Sequence, residues 1–89
     1  MVNLNKKVDV IAYHTQEGLI HPLKFRVEED GNSNVYKLNV NYFSAEKVSK
    51  DNMVYRFNCS YINIDSDKRI TCELNYQLNS QIWTLSRIF

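Results

Sequence analysis

The chain has 89 residues with 11 basic and 10 acidic side chains, a formal net charge of +1. That length fits one domain, residues 1–89, and the charge balance gives no overall field for holding DNA or an anionic membrane, so an electrostatic partner must be met by a local patch. No segment approaches the roughly 20 apolar residues of a membrane-spanning helix, and Asp9 stands where a signal peptide needs its apolar run, so the expectation is a cytoplasmic protein with no membrane partner.

In chain order, six runs carry alternation of apolar and polar residues or strand composition: residues 6–15, 20–28, 35–43, 53–64, 69–78 and 81–89. The first two fold back on one another around Gln16-Glu17-Gly18-Leu19. Setting Thr15 opposite Ile20 brings Ala12 to Leu23, Val10 to Phe25 and Val8 to Val27 on one face. Asp9 then meets Arg26, and Lys7 meets Glu28, on the other. Side chains change face with every residue, so a slip by one position would bury the charges; two faces agreeing on one register predicts an antiparallel hairpin.

The next connection, Asp30-Gly31-Asn32-Ser33-Asn34, is dense in turn residues. Pairing across all of it sets Val27 against Leu38, Phe25 against Val40 and Glu28 against Lys37. Residues Ser44 to Asn52 are long enough for one helical turn and too short to cover a sheet. The fourth run alternates cleanly until Ile62 and Ile64 switch parity, which predicts a bulge near Ser60 to Ile62. Asp65-Ser66-Asp67 reads as a turn, because Ile70 and Tyr76 stand where a calcium loop needs Gly and Glu. Asn79-Ser80 suits a two-residue hairpin loop, placing Leu78 opposite Gln81, Tyr76 opposite Trp83 and Leu74 opposite Leu85.

An amphipathic sheet without a helix to cover it must close on itself or pack on a second sheet. Six consecutive strands joined mainly by short turns favour an all-β fold, a small antiparallel meander barrel or strongly curved sheet. A dimer burying two open sheets is the alternative. The eleven asparagines look like surface filler from an AT-rich coding bias.

Little in the chain suits catalysis. The serines lie in turns or among polar positions and the cysteines on apolar faces, so no nucleophile has a base and an orienting acid beside it. Gly18 and Gly31 are isolated, which leaves no phosphate-cradling loop. The first hairpin's register puts His14 directly opposite His21 at the barrel mouth, but zinc needs three or four ligands and no further one has a defined place there. Cys59 and Cys72 lack C-x-x-C spacing and are too few for a disulfide scaffold; both are expected to be buried and reduced, and no metal or other cofactor is expected.

Charge placement is more informative than charge number. The acids gather mostly in connections, while Lys24, Arg26, Lys37 and Arg56, with Asn39, Asn41 and Asn58, fall together on the outer sheet face. Cations and amides on a rigid sheet could track a phosphate backbone, although only Tyr13 and Phe43 are expected outside as stacking platforms.

The segments Pro22-Leu23-Lys24-Phe25-Arg26, Val35-Tyr36-Lys37-Leu38-Asn39-Val40, Tyr55-Arg56-Phe57, Cys72-Glu73-Leu74 and Trp83-Thr84-Leu85-Ser86-Arg87 fall in the order of landmarks of a known family. From Gly18 to Phe89 the chain resembles a family of short, uncharacterised bacterial all-β proteins, some associated with translesion DNA polymerase genes. That resemblance implies a DNA-repair context and carries no catalytic residues.

Three function classes follow. The first is a non-enzymatic module binding a protein partner, or a second copy of itself, through a polar or basic sheet face or a strand edge. The second is a nucleic-acid accessory domain using Lys24, Arg26, Lys37, Asn39, Arg56 and Asn58. The third is a small-ligand binder or minor enzyme at the barrel mouth, using His14 and His21.

Overall fold

The structure, a computed structural model, describes Met1–Phe89. It is all-β, with eight strands and no helix: β1 (Val2–Lys7), β2 (Asp9–His14), β3 (Ile20–Glu29), β4 (Asn32–Lys37), β5 (Asn39–Ser49), β6 (Asn52–Ile62), β7 (Arg69–Gln77) and β8 (Ile82–Ile88). They form two antiparallel sheets, a five-stranded one ordered β1-β8-β7-β6-β5 and a three-stranded one ordered β2-β3-β4.

The two additional strands have one cause. The first expected run begins earlier and bends at Val8, and the third bends at Leu38, so each contributes one strand to each sheet. At the bends the chain is tied by Val8 N–H donating to Trp83 O (3.2 Å) and Leu38 N–H donating to Leu23 O (2.8 Å). Ladder pairing stops at both corners, and the chain forms two sheets rather than a closed barrel.

Between the sheets lies one apolar core. Phe25, Val27, Tyr36 and Leu38 come from the small sheet and its corner, and Phe57, Cys59, Tyr61, Cys72, Leu74, Tyr76, Trp83 and Leu85 from the large sheet. Phe25, Tyr36 and Tyr61 form a ring cluster with centroids 4.7–5.5 Å apart, and Trp83 lies 4.7 Å from Tyr76 and 5.6 Å from Phe57. Such offset and tilted aromatic pairs add to the burial of their large surfaces.

The registers separate what periodicity could read from what it could not. Asp9–Arg26 and Val10–Phe25 pair as expected, and so do Leu74–Leu85 and Tyr76–Trp83, although the last loop spans Leu78–Gln81, with Gln81 in the left-handed region at φ 59°. Toward the first turn the ladder slips by one: Ile11 faces Lys24, whereas Ala12 faces Pro22. Pro22 has no N–H to give a ladder, so the strand accommodates it beside a bulge. Pro22 is buried and Leu23 is turned outward, which reverses the expected Ala12–Leu23 contact.

Two pairings on the first hairpin's charged end also fall away. Lys7 pairs with Thr84 in the large sheet and Val8 sits at the corner, so neither meets its expected partner in β3. The β3–β4 register differs by four residues, Phe25 facing Tyr36 and Val27 facing Asn34. Its turn is only Asp30-Gly31, whose φ values of 49° and 79° are those of a tight mirror-image hairpin turn that Asp-Gly strongly favours.

Ser44 to Ser49 continues β5 instead of forming a helical turn, and the chain reverses at Lys50-Asp51. β6 pairs with β7 without a break, so no bulge lies at Ser60 to Ile62; the bulge is on the opposing strand, at Asn41. Ile62 and Ile64 are simply exposed near the strand end. Asp65-Ser66-Asp67 is a turn, organised by Asn63, whose Oδ1 accepts from the N–H groups of Asp65 (2.9 Å) and Ser66 (3.0 Å).

Candidate functional site

The expected single basic face is divided by the corner at Leu38. Lys24, Arg26 and Lys37 lie on the outer face of the small sheet, while Arg56 and Asn58 lie on the outer face of the large sheet. The inner faces pack on each other, so these outer faces point away from one another. Asn39 begins β5 just past the bend and lines a shallow depression with Lys37, Asn63 and Asp67.

Most of the guanidinium charge is already engaged. Arg26 is ion-paired and hydrogen-bonded with Asp9, its cross-strand neighbour. Arg56 donates through Nε to Glu46 Oε2 at 2.8 Å, and Asn58 accepts from the Asn41 amide at 2.8 Å. Beside them on the large sheet, Arg87 Nε lies 3.2 Å from Glu73 Oε2, an ion pair without the alignment of a hydrogen bond. Lys24 and Lys37 differ, standing directly opposite each other without an acidic ion-pair partner. Like charges so placed repel, which disfavours the sheet locally and leaves a small two-lysine patch.

The histidines do not converge. The slip at Pro22 puts Tyr13 opposite His21 and Ile20 opposite His14, and the Tyr13 and His21 rings lie tilted against each other with centroids 5.1 Å apart. His14 is exposed. The interior between the sheets is filled by core side chains, and the depressions found are at the surface; the one at Asp9, Ile11, Lys24, Arg26 and Val35 has a volume of about 210 Å³.

The polar groups that are buried are the thiols and phenols of the core and the side chains of Ser60 and Ser86, two serines that lie within strands. Cys59 and Cys72 are cross-strand partners, both free and fully buried. Burial pushes each thiol up to about 12, with Cys72 adding to the effect on Cys59. Burial likewise raises the Tyr61 phenol to about 12, helped by Cys72 and Glu29. Tyr36 donates its hydroxyl to Glu29 Oε2 at 3.0 Å; burial and that carboxylate both raise its pKa. Thiols held protonated in this way are poor nucleophiles.

A feature absent from the expected binding residues is the outer strand of the large sheet. β5 has β6 as its only neighbour and exposes every residue except Val40 to a substantial degree. Tyr42 (67% exposed), Phe43 (47%) and Val48 (48%) stand on it. The Asn41 bulge moves Tyr42 to the outer face beside Asn58, where alternation had placed it inside. Phe43 is on the inner side, stacked on Phe57 at 5.6 Å, and is half-open because the three-stranded sheet does not reach over it.

Comparison with protein-family models, with curated proteins and with solved structures returns no match.

Proposed function

We propose that the chain is a non-enzymatic interaction domain that binds a protein partner through the free edge of β5. The observation that carries this reading is an eleven-residue edge strand exposing Tyr42, Phe43 and Val48. An edge offers a row of main-chain N–H and C=O groups to an incoming strand, and the side chains beside it set which strand fits. Single exposed apolar residues are ordinary on protein surfaces; an aromatic pair on an unpaired edge is less so.

The nucleic-acid reading has narrower support. Arg26 and Arg56 are held by carboxylates, and the face expected to carry them together is split between two sheets. Lys24 and Lys37 remain, with Tyr42 as an exposed ring on the other sheet. The resemblance to a family with translesion-polymerase neighbours would make DNA repair the setting for either reading.

One comparison separates the two. Affinity capture from a cell extract with the wild-type chain and with Phe43→Glu should recover a partner that the variant loses, while an oligonucleotide titration at low salt should show no binding at about 100 μM protein. Equal recovery by both chains would overturn edge binding to any partner other than a second copy of the chain. Oligonucleotide binding that weakens steeply with salt and is abolished by Lys24→Ala with Lys37→Ala would establish the nucleic-acid reading in its place.

A further inference from the structure

The edge of β5 is complementary to itself. We propose that two copies of this chain pair antiparallel through β5 about a two-fold axis at Ala45, joining their large sheets into one ten-stranded sheet. The inference rests on edge binding and names the partner strand.

The faces of β5 follow from its pairing with β6. Phe43, Ala45 and Lys47 face inward opposite Phe57, Tyr55 and Met53, and Ser44 and Glu46 face outward opposite Arg56 and Val54. The ladder is regular from Tyr42 to Lys47, with irregularities at Asn41 and Val48 limiting the stretch that can receive another strand. Two antiparallel copies related by a two-fold axis perpendicular to the sheet must bring inward residues opposite inward ones. One residue therefore lies opposite itself.

Centred on Glu46, the pairing would set two carboxylates together. Centred on Ser44, it would leave Lys47 against the Asn41 bulge. Centred on Ala45, it sets the small side chain against itself, Ser44 against Glu46 of the second copy, and Phe43 against Lys47 of the second copy. The last contact gives the lysine an aromatic face. An inward-pointing lysine on a free edge usually deters pairing, and this register is the one that accommodates it. It also joins the uncovered ledges of the two copies, since Phe43 lies beside Tyr55 at 6.2 Å on the side that the small sheet leaves open.

The contact uses far fewer than the roughly 20 to 30 residues a side of a standard interface, so a dissociation constant on the order of 10 to 100 μM is expected. Sedimentation equilibrium from about 5 to 500 μM should show the mass rising from 10.5 kDa toward twice that value. Ala45 is exposed, so Ala45→Glu and Ala45→Lys should both fold, as circular dichroism would verify. Each alone should associate at least tenfold more weakly than wild type, because like charges meet on the axis. Mixed in equal amounts, the two variants should associate again.

A wild-type chain that remains at 10.5 kDa throughout overturns the proposal, as does an Ala45→Glu chain that associates like wild type. So does a mixture that stays monomeric when both variants are folded. If the wild-type chain is monomeric but Phe43→Glu still loses a captured partner, edge binding stands and the second copy is excluded; if both experiments fail, both readings fall.

Discussion

Raising the pH should unfold this domain through its buried thiols. Cys59 and Cys72 face each other across β6 and β7 at the centre of the core, fully buried, and their pKa values rise from an ordinary 9.0 to about 12. Between those values the unfolded chain has lost thiol protons that the folded chain keeps, so stability falls as pH rises; below the lower value the two states bind equally and nothing is lost. Integrating over that window costs roughly 1 kcal/mol per thiol at about pH 10 and roughly 3 at about pH 11. Tyr61, raised from 10.0 to about 12, adds roughly 1 kcal/mol at about pH 11. The total, about 7 kcal/mol, is comparable with the whole stability of a small domain. Urea unfolding followed by far-ultraviolet circular dichroism from pH 7 to 11 measures the loss. The double variant Cys59→Ala, Cys72→Ala starts less stable, because it leaves cavities, but its pH dependence should be much shallower. A wild-type chain as stable at pH 11 as at pH 7, or a double variant with an unchanged slope, would refute the reasoning.

Three further outcomes follow from the packing. Trp83→Ala should cost about 3 to 5 kcal/mol, since the indole is 8% exposed and packed on Tyr76 and Phe57; a fully solvent-exposed emission maximum in the native wild type would contradict that placement. Deleting Ser86 to Phe89 removes the stretch of β8 that joins β1 to β7 through Ile88 and Arg87, and should lower the melting temperature severely; a shift within a degree or two would show that this end is dispensable. Lys37→Glu replaces a like-charge pair with an attractive one opposite Lys24 and should stabilise by about 0.5 kcal/mol at low salt, with the gain shrinking as salt is added; no gain in chemical denaturation would mean that the two ammonium groups already avoid each other.

Alternation by itself determined that the chain is all-β, where the main reversals fall and which residues of the terminal hairpin meet, because side chains on a strand change face with every residue and a wrong register buries charge. It also brought Asp9 to Arg26 and left Cys59 and Cys72 inside. Some of what it missed was readable: Asp30-Gly31 is the dipeptide of a two-residue turn, and Pro22 cannot join a regular ladder. The corners at Val8 and Leu38 were not readable, since a strand that passes from one sheet to another keeps the same alternation on both sides of the bend. Those corners depend on how two sheets of unequal size share one core. They split the expected basic face, separated Arg56 and Asn58 from Lys24, Arg26 and Lys37, and prevented the ladders from closing. The exposure of β5 has the same origin, because a three-stranded sheet cannot cover a five-stranded one, and the strand left over is decided only by the packing.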